Sequence, residues 1–594
     1  MEKPLRSFRT PFSRLFTLSL LSLSATALPL TAQLTLTGET ENKQPLNILL
    51  LIADDLGVEG VGAYEEPSDP PYTPRTPRID QLAEDGVLFR NCWANPGCSP
   101  TRATMLTGRY SFRTGIGQAV HYASSLFELS PNEVGIPERL SNGYRSAALG
   151  KWHLSAANGT GLRHPKHLGF DTFRGSMKIF PGFIGDAYYN WEKIVDGETI
   201  PSTKYATSDT VDDALAFIEK TQDPWFLWVA FHAPHAPFHK PPAELHTYDL
   251  PPDVADDLAL HAGAMTEALD TEIGRLLDSM DPATREKTLI IFIGDNGAPA
   301  SVTVPPLDPL HSKNTVYEGG INVPLIVAGP GVVSGRQCDA LVNSTDIFST
   351  IIEIAHAEVP GGVPPLPEDS VSLTPYFENP GQSSNRQWVY AEYFEPNGLS
   401  SPVNRRTMRQ ERFKLIQNVH AMDGVTNEEL YDLMMDPFET TNLLDFPALP
   451  TSTTVTLDIL RDELERLDSA TPPWHTLGEG GVVMKNAPTL SGGGVPTPGA
   501  VLSLDLAKAP ANVLGMLVAG FPAADVPFSD GVIAPERRFH FPITTDTYGR
   551  FRLQATWPRR APDVGSMVFQ IVFPQIETDA QAKTVSNALR LTLN

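Results

Sequence analysis

The run Leu46-Asn47-Ile48-Leu49-Leu50-Leu51-Ile52-Ala53 is apolar almost throughout, shows no alternation, and stops at Asp54-Asp55. A short run of this kind suits a strand buried on both faces of a parallel sheet. Similar runs recur at Trp225–Phe231, Thr288–Ile293 and Val323–Val327. Between them lie stretches of helical periodicity, Arg78–Asp85, Asp209–Thr221 and Asp256–Met280. Strands alternating with helices predict an α/β fold with a central, mostly parallel sheet flanked by helices. Three of the runs end in polar clusters: Asp54-Asp55, His232 to His235, and Asp295-Asn296. In open α/β sheets ligands sit beyond the carboxyl ends of the strands, so the pattern puts all three clusters on one rim.

The pattern changes after residue 368. Trp388–Glu392, Arg406–Gln417 and Glu429–Leu433 read as short antiparallel strands, followed by a helix over Leu457–Leu467. Residues 471–497 are rich in Gly, Pro and Ser and read as a linker. Beyond them, short β-like runs at Val501–Leu506, Val513–Val518, Arg538–Pro542, Phe551–Trp557, Met567–Phe573 and Ala588–Leu593 predict an appended all-β sandwich. The expected division is residues 1–32 as a secretory signal, 46–368 as a catalytic domain, 369–470 as its C-terminal subdomain, 471–497 as a linker, and 498–594 as a β-sandwich accessory domain. Passive stabilisation is the plainer role for that last module, attachment the alternative.

The signal is read from Lys3, Arg6, Arg9 and Arg14, followed by an apolar stretch to Leu30 and small residues at Ala25-Thr26-Ala27 and Thr31-Ala32. It implies a periplasmic or secreted protein; a single N-terminal membrane anchor is the competing reading. No later run approaches the ~20 apolar residues of a spanning helix. The net charge of −25 becomes −28 once residues 1–32, with four basic residues and one acidic residue, are removed. Such a surface repels nucleic acid and anionic membranes. An anionic substrate would therefore need a locally basic pocket. With cysteines only at 92, 98 and 338, this is no disulfide scaffold; Cys92 and Cys338 are either a pair or two buried thiols.

The candidate chemistry starts from the acids. Asp54, Asp55 and Asp295 with the Asn296 amide offer hard oxygen ligands, suited to Ca²⁺ or Mg²⁺ rather than Zn²⁺. An Asp-Asp pair alone is more often a helix cap or turn; two acidic clusters that each follow a buried run weaken that reading. Cys98-Ser99-Pro100-Thr101-Arg102 continues into Leu106-Thr107-Gly108, and Pro100 predicts the first turn of a helix. Gly143 to Leu154 contains Gly150-Lys151-Trp152-His153, and Phe231-His232-Ala233-Pro234-His235 follows the second apolar run. Lys313 precedes Glu318-Gly319-Gly320.

These motifs resemble the type I sulfatases of the alkaline phosphatase superfamily. C-x-P-x-R with L-T-G matches the first sulfatase signature and G-Y-x-S-x-x-x-G-K-W-H the second. Tyr72-Thr73-Pro74 to Ala83 and Leu430-Tyr431-Asp432-Leu433 to Leu443 match further family phrases. The resemblance implies an alkaline-phosphatase-like fold and a sulfuric ester hydrolase of the arylsulfatase type. It implies that Cys98 is oxidised to formylglycine by a formylglycine-generating enzyme and that its hydrated diol is the nucleophile. It also implies one Ca²⁺ or Mg²⁺ held by Asp54, Asp55, Asp295, Asn296 and residue 98. Arg102 would balance the carboxylates, Lys151 and Lys313 would hold sulfate oxygens, His153 would contact residue 98, and His235 would protonate the departing alcohol. Substrates would be sulfated carbohydrate or aryl sulfate, and the candidate specificity loops are Tyr188–Trp191 and 393–405, whose aromatics either stack on a sugar or aryl ring or belong to the core. Two positions depart from the family pattern: Asn322 stands for an arginine and Arg78 for an asparagine, the latter expected at the pocket edge. The competing functions are a phosphonate or phosphate ester hydrolase of the same superfamily, and a catalytically silent binding protein.

Overall fold

The computed structural model describes residues 45–469, apart from 66–73, 126, 141–142, 222–223, 357–368, 398–402 and 421–424, and beyond residue 469 it describes strands alone. The expected signal, residues 1–32, lies outside the described residues.

The first apolar run forms β1, Asn47–Asp54. Its neighbours are β7 (Trp225–Pro234) and β8 (Thr288–Gly294), both parallel to it. Ile48, Leu50 and Ile52 face one hydrophobic cluster and Leu49, Leu51 and Ala53 the other. This two-sided burial explains why the sequence shows no alternation here. The sheet is completed by β2 (Gly86–Trp93), β3 (Arg145–Lys151), β4 (Thr172–Ser176), β5 (Trp191–Val195), β6 (Glu198–Ser202), β9 (Leu325–Ala328) and β10 (Arg336–Asn343). The order across its ten strands is β10-β2-β9-β8-β1-β7-β3-β4-β5-β6. β9, the fourth apolar run, is antiparallel to both β2 and β8. A continuous apolar run reports burial on two faces and carries no information on strand direction.

The predicted helices form as Pro77–Asp85, Ala206–Lys220 and Leu258–Asp278. Cys92 and Cys338 are buried free thiols; on β2 and β10 they lie opposite Val342 and Phe89 and not opposite each other.

A second, antiparallel sheet contains β11 (Val389–Glu395), β12 (Val403–Arg409), β13 (Phe413–His420) and β14 (Val425–Asp432) in that order. The stretch read as one strand, Arg406–Gln417, is a hairpin that turns between Arg409 and Phe413. The helix Thr451–Ser469 packs Leu457, Leu460, Leu464 and Leu467 against Met408, Leu415 and Leu430 of this sheet. Further on, strands from Trp474 to Thr592 pair antiparallel into one sheet of six strands and one of three. Two of them, Trp474–Leu477 and Thr489–Gly493, fall inside the segment expected as a linker, 471–497, so strand pairing begins earlier than composition suggested.

Candidate active site

Because β7, β1 and β8 are adjacent and parallel, the three polar clusters that follow them meet at one rim. Asp54 closes β1, and Asp55 follows in left-handed backbone, φ 64°. The Asp295 N–H donates to Ala53 O at 3.0 Å, and the Asp55 N–H donates to Asp295 Oδ1 at 3.1 Å. β3, on the far side of β7, delivers Lys151 to the same rim. Gly150, just before it, has φ 83°, and a Cβ there would stand 1.9 Å from Ala230 O. Only glycine allows β3 that close to β7. His153 is left-handed too, φ 62°. Two non-glycine residues with this rare backbone flank one site, and that is strain worth holding only where the geometry is used.

Cys98 opens a helix, Cys98–Thr107, in which every residue is buried. The helix stops at Gly108, φ 68°, whose N–H bonds to Thr104 O. Its free N-terminal N–H groups favour an anion beside residue 98. The Ser99 hydroxyl accepts from the Val120 N–H at 2.9 Å and donates to His153 O at 2.7 Å, which fixes His153 against this helix. Cys98 Sγ is 3.4 Å from His153 Nδ1 and 3.4 Å from Lys151 Nζ.

The ion pairs are buried. Lys151 Nζ lies 2.5 Å from Asp54 Oδ2, and Lys313 Nζ lies 2.5 Å from Asp55 Oδ1. Arg102 donates to Asp295 Oδ2 from Nε at 2.9 Å and Nη2 at 2.7 Å, and from Nη1 to Lys151 O at 2.8 Å. Asn296 Nδ2 donates to Asp55 Oδ1 at 2.8 Å. The Lys313 segment is stitched in by two backbone bonds, Lys313 N–H to Ala298 O at 3.0 Å and Asn314 N–H to Pro96 O at 2.8 Å. A Cβ on Gly297 would stand 1.9 Å from Gly319 O, so glycine is needed where the Asn296 turn meets this segment.

The electrostatics follow from this packing. Burial pushes the Asp295 carboxyl up to about 6, with the Asp54 charge adding to the shift against Arg102. Burial would raise Asp55 as well, but Lys313, His235 and Lys151 outweigh it and hold Asp55 below the usual carboxylate range. Burial opposes the charge on Lys313, and Asp55 more than restores it. Burial, reinforced by Lys151 and Arg102, keeps His153 neutral. Burial lowers His235 to about 3 despite Asp55, whose Oδ2 is 3.8 Å from His235 Nε2. The Cys98 thiol is raised, chiefly by burial, against the pull of Lys151 and Lys313.

Asp54 Oδ1 and Asn296 Oδ1 are buried acceptors with no hydrogen-bond partner. Ligand atoms of Asp54, Cys98 and Asp295 lie within 4.8 Å of one another, as do those of Asp54, Asp55 and His235. Grouped carboxylates with an unspent carboxylate and an unspent amide oxygen beside them fit a hard divalent cation such as Ca²⁺ or Mg²⁺.

All ten candidate residues, Asp54, Asp55, Cys98, Arg102, Lys151, His153, His235, Asp295, Asn296 and Lys313, thus belong to one cluster. His232 stacks on Phe180 at 4.1 Å and 9°. Of the two readings open for Tyr188 and Trp191, substrate-facing or core, the structure takes the second: both are core residues. The Tyr188 hydroxyl lies 2.6 Å from His232 O and 2.7 Å from His235 O and so props the His235 loop, a role without a signal in the sequence. Arg78 pairs with Asp278 on the surface and not with the site.

The profile of the family described as Sulfatase matches residues 46–357, and one described as N-sulphoglucosamine sulphohydrolase, C-terminal, matches 309–469. The N-acetylgalactosamine-6-sulfatase of Sus scrofa is 33% identical over 54% of this chain and 65% of its own length. That of Canis lupus familiaris is 31% identical, over 59% and 70%. Arylsulfatase A of Homo sapiens is 28% identical, over 68% and 84%. The chain therefore spans just under two thirds of the first of these relatives. Among solved structures, Ps i-CgsB in complex with k-i-k-neocarrahexaose superposes with a TM-score of 0.59 at 25% identity, covering 71% of this chain and 93% of that one. BT4656 in complex with D-glucosamine-2-N,6-O-disulfate, at 21% identity, shares the fold, with a TM-score of 0.56 over 72% and 99%. With its strand-end acids, its buried Cys98 helix and a family match over more than half its length, this chain belongs to the sulfatase family.

Proposed function

We propose that the protein hydrolyses sulfate esters of carbohydrates or aryl alcohols to the alcohol and inorganic sulfate, outside the cytoplasm. The observation that carries this is the convergence of the Cys98 thiol with Lys151, His153 and the Asp54–Asp55–Asp295–Asn296 pocket. Residues 1–32 support export to the periplasm or beyond, and among the described residues no helix is long and apolar enough to cross a membrane.

In this reading Cys98 Sγ marks the place of an oxygen. Oxidised to formylglycine by a maturation enzyme, residue 98 supplies a hydrated aldehyde, one hydroxyl of which attacks sulfur while the other later expels sulfate. Asp54, Asp55, Asp295 and Asn296 would hold a divalent cation, which supplies Lewis acidity to the attacking oxygen and the sulfuryl group. Lys151 and Lys313 stand ready to take sulfuryl oxygens as charge shifts onto them. His153, held neutral beside residue 98, takes the proton of the second hydroxyl. His235 Nδ1 is tied to Ala236 O at 2.6 Å, so Nε2 is the atom that serves the leaving alcohol. Its second proton must be taken up from solvent as the substrate binds, because the negative charge of the ester opposes the burial that otherwise keeps the ring neutral.

The test is the mass of the tryptic peptide Asn91–Arg102 from protein made with the maturation enzyme, followed by sulfate release from a panel of esters. Formylglycine at residue 98 together with sulfate release is expected. Formylglycine without release from sulfate esters, but with turnover of phosphonate esters, would overturn the reading.

A further inference from the structure

A second cavity, about 500 Å³, opens beside the site between the loop after β1, the helix Leu258–Asp278 and the segment 298–307. Three of its lining residues tie it to the chemistry. Asp55 lies between the His235 imidazole and the Lys313 ammonium, Pro234 immediately precedes His235, and Ala298 accepts the Lys313 N–H. His235 and Lys313 are also the site side chains that reach solvent, 14% and 13% exposed, whereas Arg102 and Lys151 are sealed at 0%. The cavity therefore begins on the side where the proposed mechanism releases the alcohol.

Its walls are apolar: Leu56, Val58, Val302, Leu307 and Phe438. The volume falls in the range that encloses a fused-ring or similarly bulky group. The charged groups around it discourage an anionic guest. Glu59 and Glu65 both line it, and the Glu59 carboxyl accepts the Ala298 N–H. Burial pushes the Glu59 carboxyl up to about 7, although the residue is only partly buried. Arg90 is the cation at the rim, but its guanidinium donates to Tyr64 O at 3.2 Å and lies over the Tyr64 ring at 5.7 Å. With a net charge of −25, nothing at longer range draws a polyanion here.

We propose that this cavity is the subsite for the alcohol portion of the ester, and that it selects a bulky, uncharged apolar alcohol over a sulfated sugar. This rests on the sulfatase reading above and narrows its substrate class. Binding gains come from apolar area removed from water against Val58, Val302 and Leu307, with the Glu59 carboxyl as the polar group that can orient a hydroxyl on the guest.

The experiment uses the full, matured chain and two variants that fill the cavity from the loop, Val302→Trp and Leu307→Trp, checked for an unchanged melting temperature. Two readouts are taken: kcat/KM on 2-naphthyl sulfate and on N-acetylgalactosamine 6-sulfate, and binding of 2-naphthol followed by its fluorescence. The wild type should prefer the naphthyl ester. At least one folded variant should lose about tenfold or more on it through KM, and bind naphthol correspondingly more weakly, with the sugar ester changed less than about twofold. Preference for the sugar ester, or folded variants that leave naphthyl turnover and naphthol binding intact, would overturn the subsite. Naphthol binding that the variants abolish, with no sulfate released from any ester, would sink the sulfatase reading and leave the cavity as an apolar-alcohol site.

Discussion

Two buried charge clusters start five residues apart on the chain, one at Lys313 and one at Glu318, and they are built to opposite ends. Lys313 faces the rim of the large sheet. Glu318 faces the four-stranded sheet, where Lys414 Nζ of β13 sits 3.0 Å from Glu318 Oε1 and 2.7 Å from Glu439 Oε1. Glu439 Oε2 also accepts the Glu318 N–H at 2.5 Å, Arg409 lies 3.5 Å from Glu318, and the Lys414 ammonium stands over the Trp93 ring at 4.9 Å. Both Glu318 and Glu439 thus turn to the same ammonium, and the cluster clamps the second sheet to the loop that carries Lys313. At the rim, three carboxylates also meet three cations, yet Asp54 Oδ1 and Asn296 Oδ1 accept no hydrogen bond. Closed pairing makes a clamp; convergent, unspent acceptors make a site. Buried ion pairs by themselves are weak grounds for either stability or function.

The largest expected effect separates the two outright. Cys98→Ala should bring sulfate release down to the solvent background while leaving the melting curve within a few degrees of wild type, as stopped assays and calorimetry would show. A variant that keeps turning over would remove residue 98 from the chemistry. Cys98→Ser should become sulfated once and then stall, visible as a stable mass increase on the peptide.

Chelation comes next. Dialysis against EDTA should abolish activity and lower the melting temperature, and Ca²⁺ or Mg²⁺ should restore both, because a ligand bound only by the folded state stabilises it by mass action. A Glu318→Gln variant should show the same metal dependence, since the clamp's carboxylates are already ion-paired with Lys414 and Arg409. Loss of activity on chelation without any change in stability would argue against the Asp54–Asp295 pocket as the binding place.

The cations then provide a matched pair. Lys313→Met should cost about 10²–10³-fold in kcat/KM, by analogy with removing one donor from a charge-stabilising site, with a smaller loss of stability than the clamp variant because Asp55 keeps the Asn296 amide as a donor. Lys414→Met should do the reverse, destabilising by about 3 kcal/mol or more because it leaves buried carboxylates uncompensated. Its activity per folded molecule should stay near wild type. Equal behaviour of the two variants in activity and denaturation assays would erase the distinction drawn above.

The smallest effect is a pH dependence. Burial raises Glu439 to about 7 from an ordinary 4.5, against the pull of Lys414. The folded protein therefore holds a proton that the unfolded chain gives up, and stability is lost as pH rises from about 4.5 through 7. Glu439→Gln lacks this term. Its melting temperature relative to wild type should climb between pH 5 and pH 8; a flat difference would remove Glu439 as the titrating group.

Much of the rim was legible in the chain because each of its strands announces itself twice, by an uninterrupted apolar run and by the polar residues that end it. Asp54, His235 and Asp295 could be placed together from that rule alone. The family signatures added Cys98, Lys151 and Lys313, which no periodicity marks. Other features needed the folded chain. β2, with mixed burial in Gly86–Trp93, carries no clean period, and the turn between β12 and β13 has no Gly or Pro to announce it. Tyr188, Glu59 and the Lys414 clamp act across dozens to more than a hundred positions, so their partners could not be read from local pattern.

The helix that begins at Cys98 sets a deadline. With Cys98 only 2% exposed and Ser99 to Thr107 packed on all sides, no other protein can reach the thiol once this segment has folded. Any enzyme that converts it must act on a nascent or still extended chain, while Cys98, Pro100 and Arg102 can be grasped as a strand. If residue 98 is converted as proposed, the yield of active protein in a foreign host becomes a race between two rates, chain folding and thiol conversion. Slowing synthesis or cooling the culture would alter the outcome of that race without changing a single residue of the finished molecule.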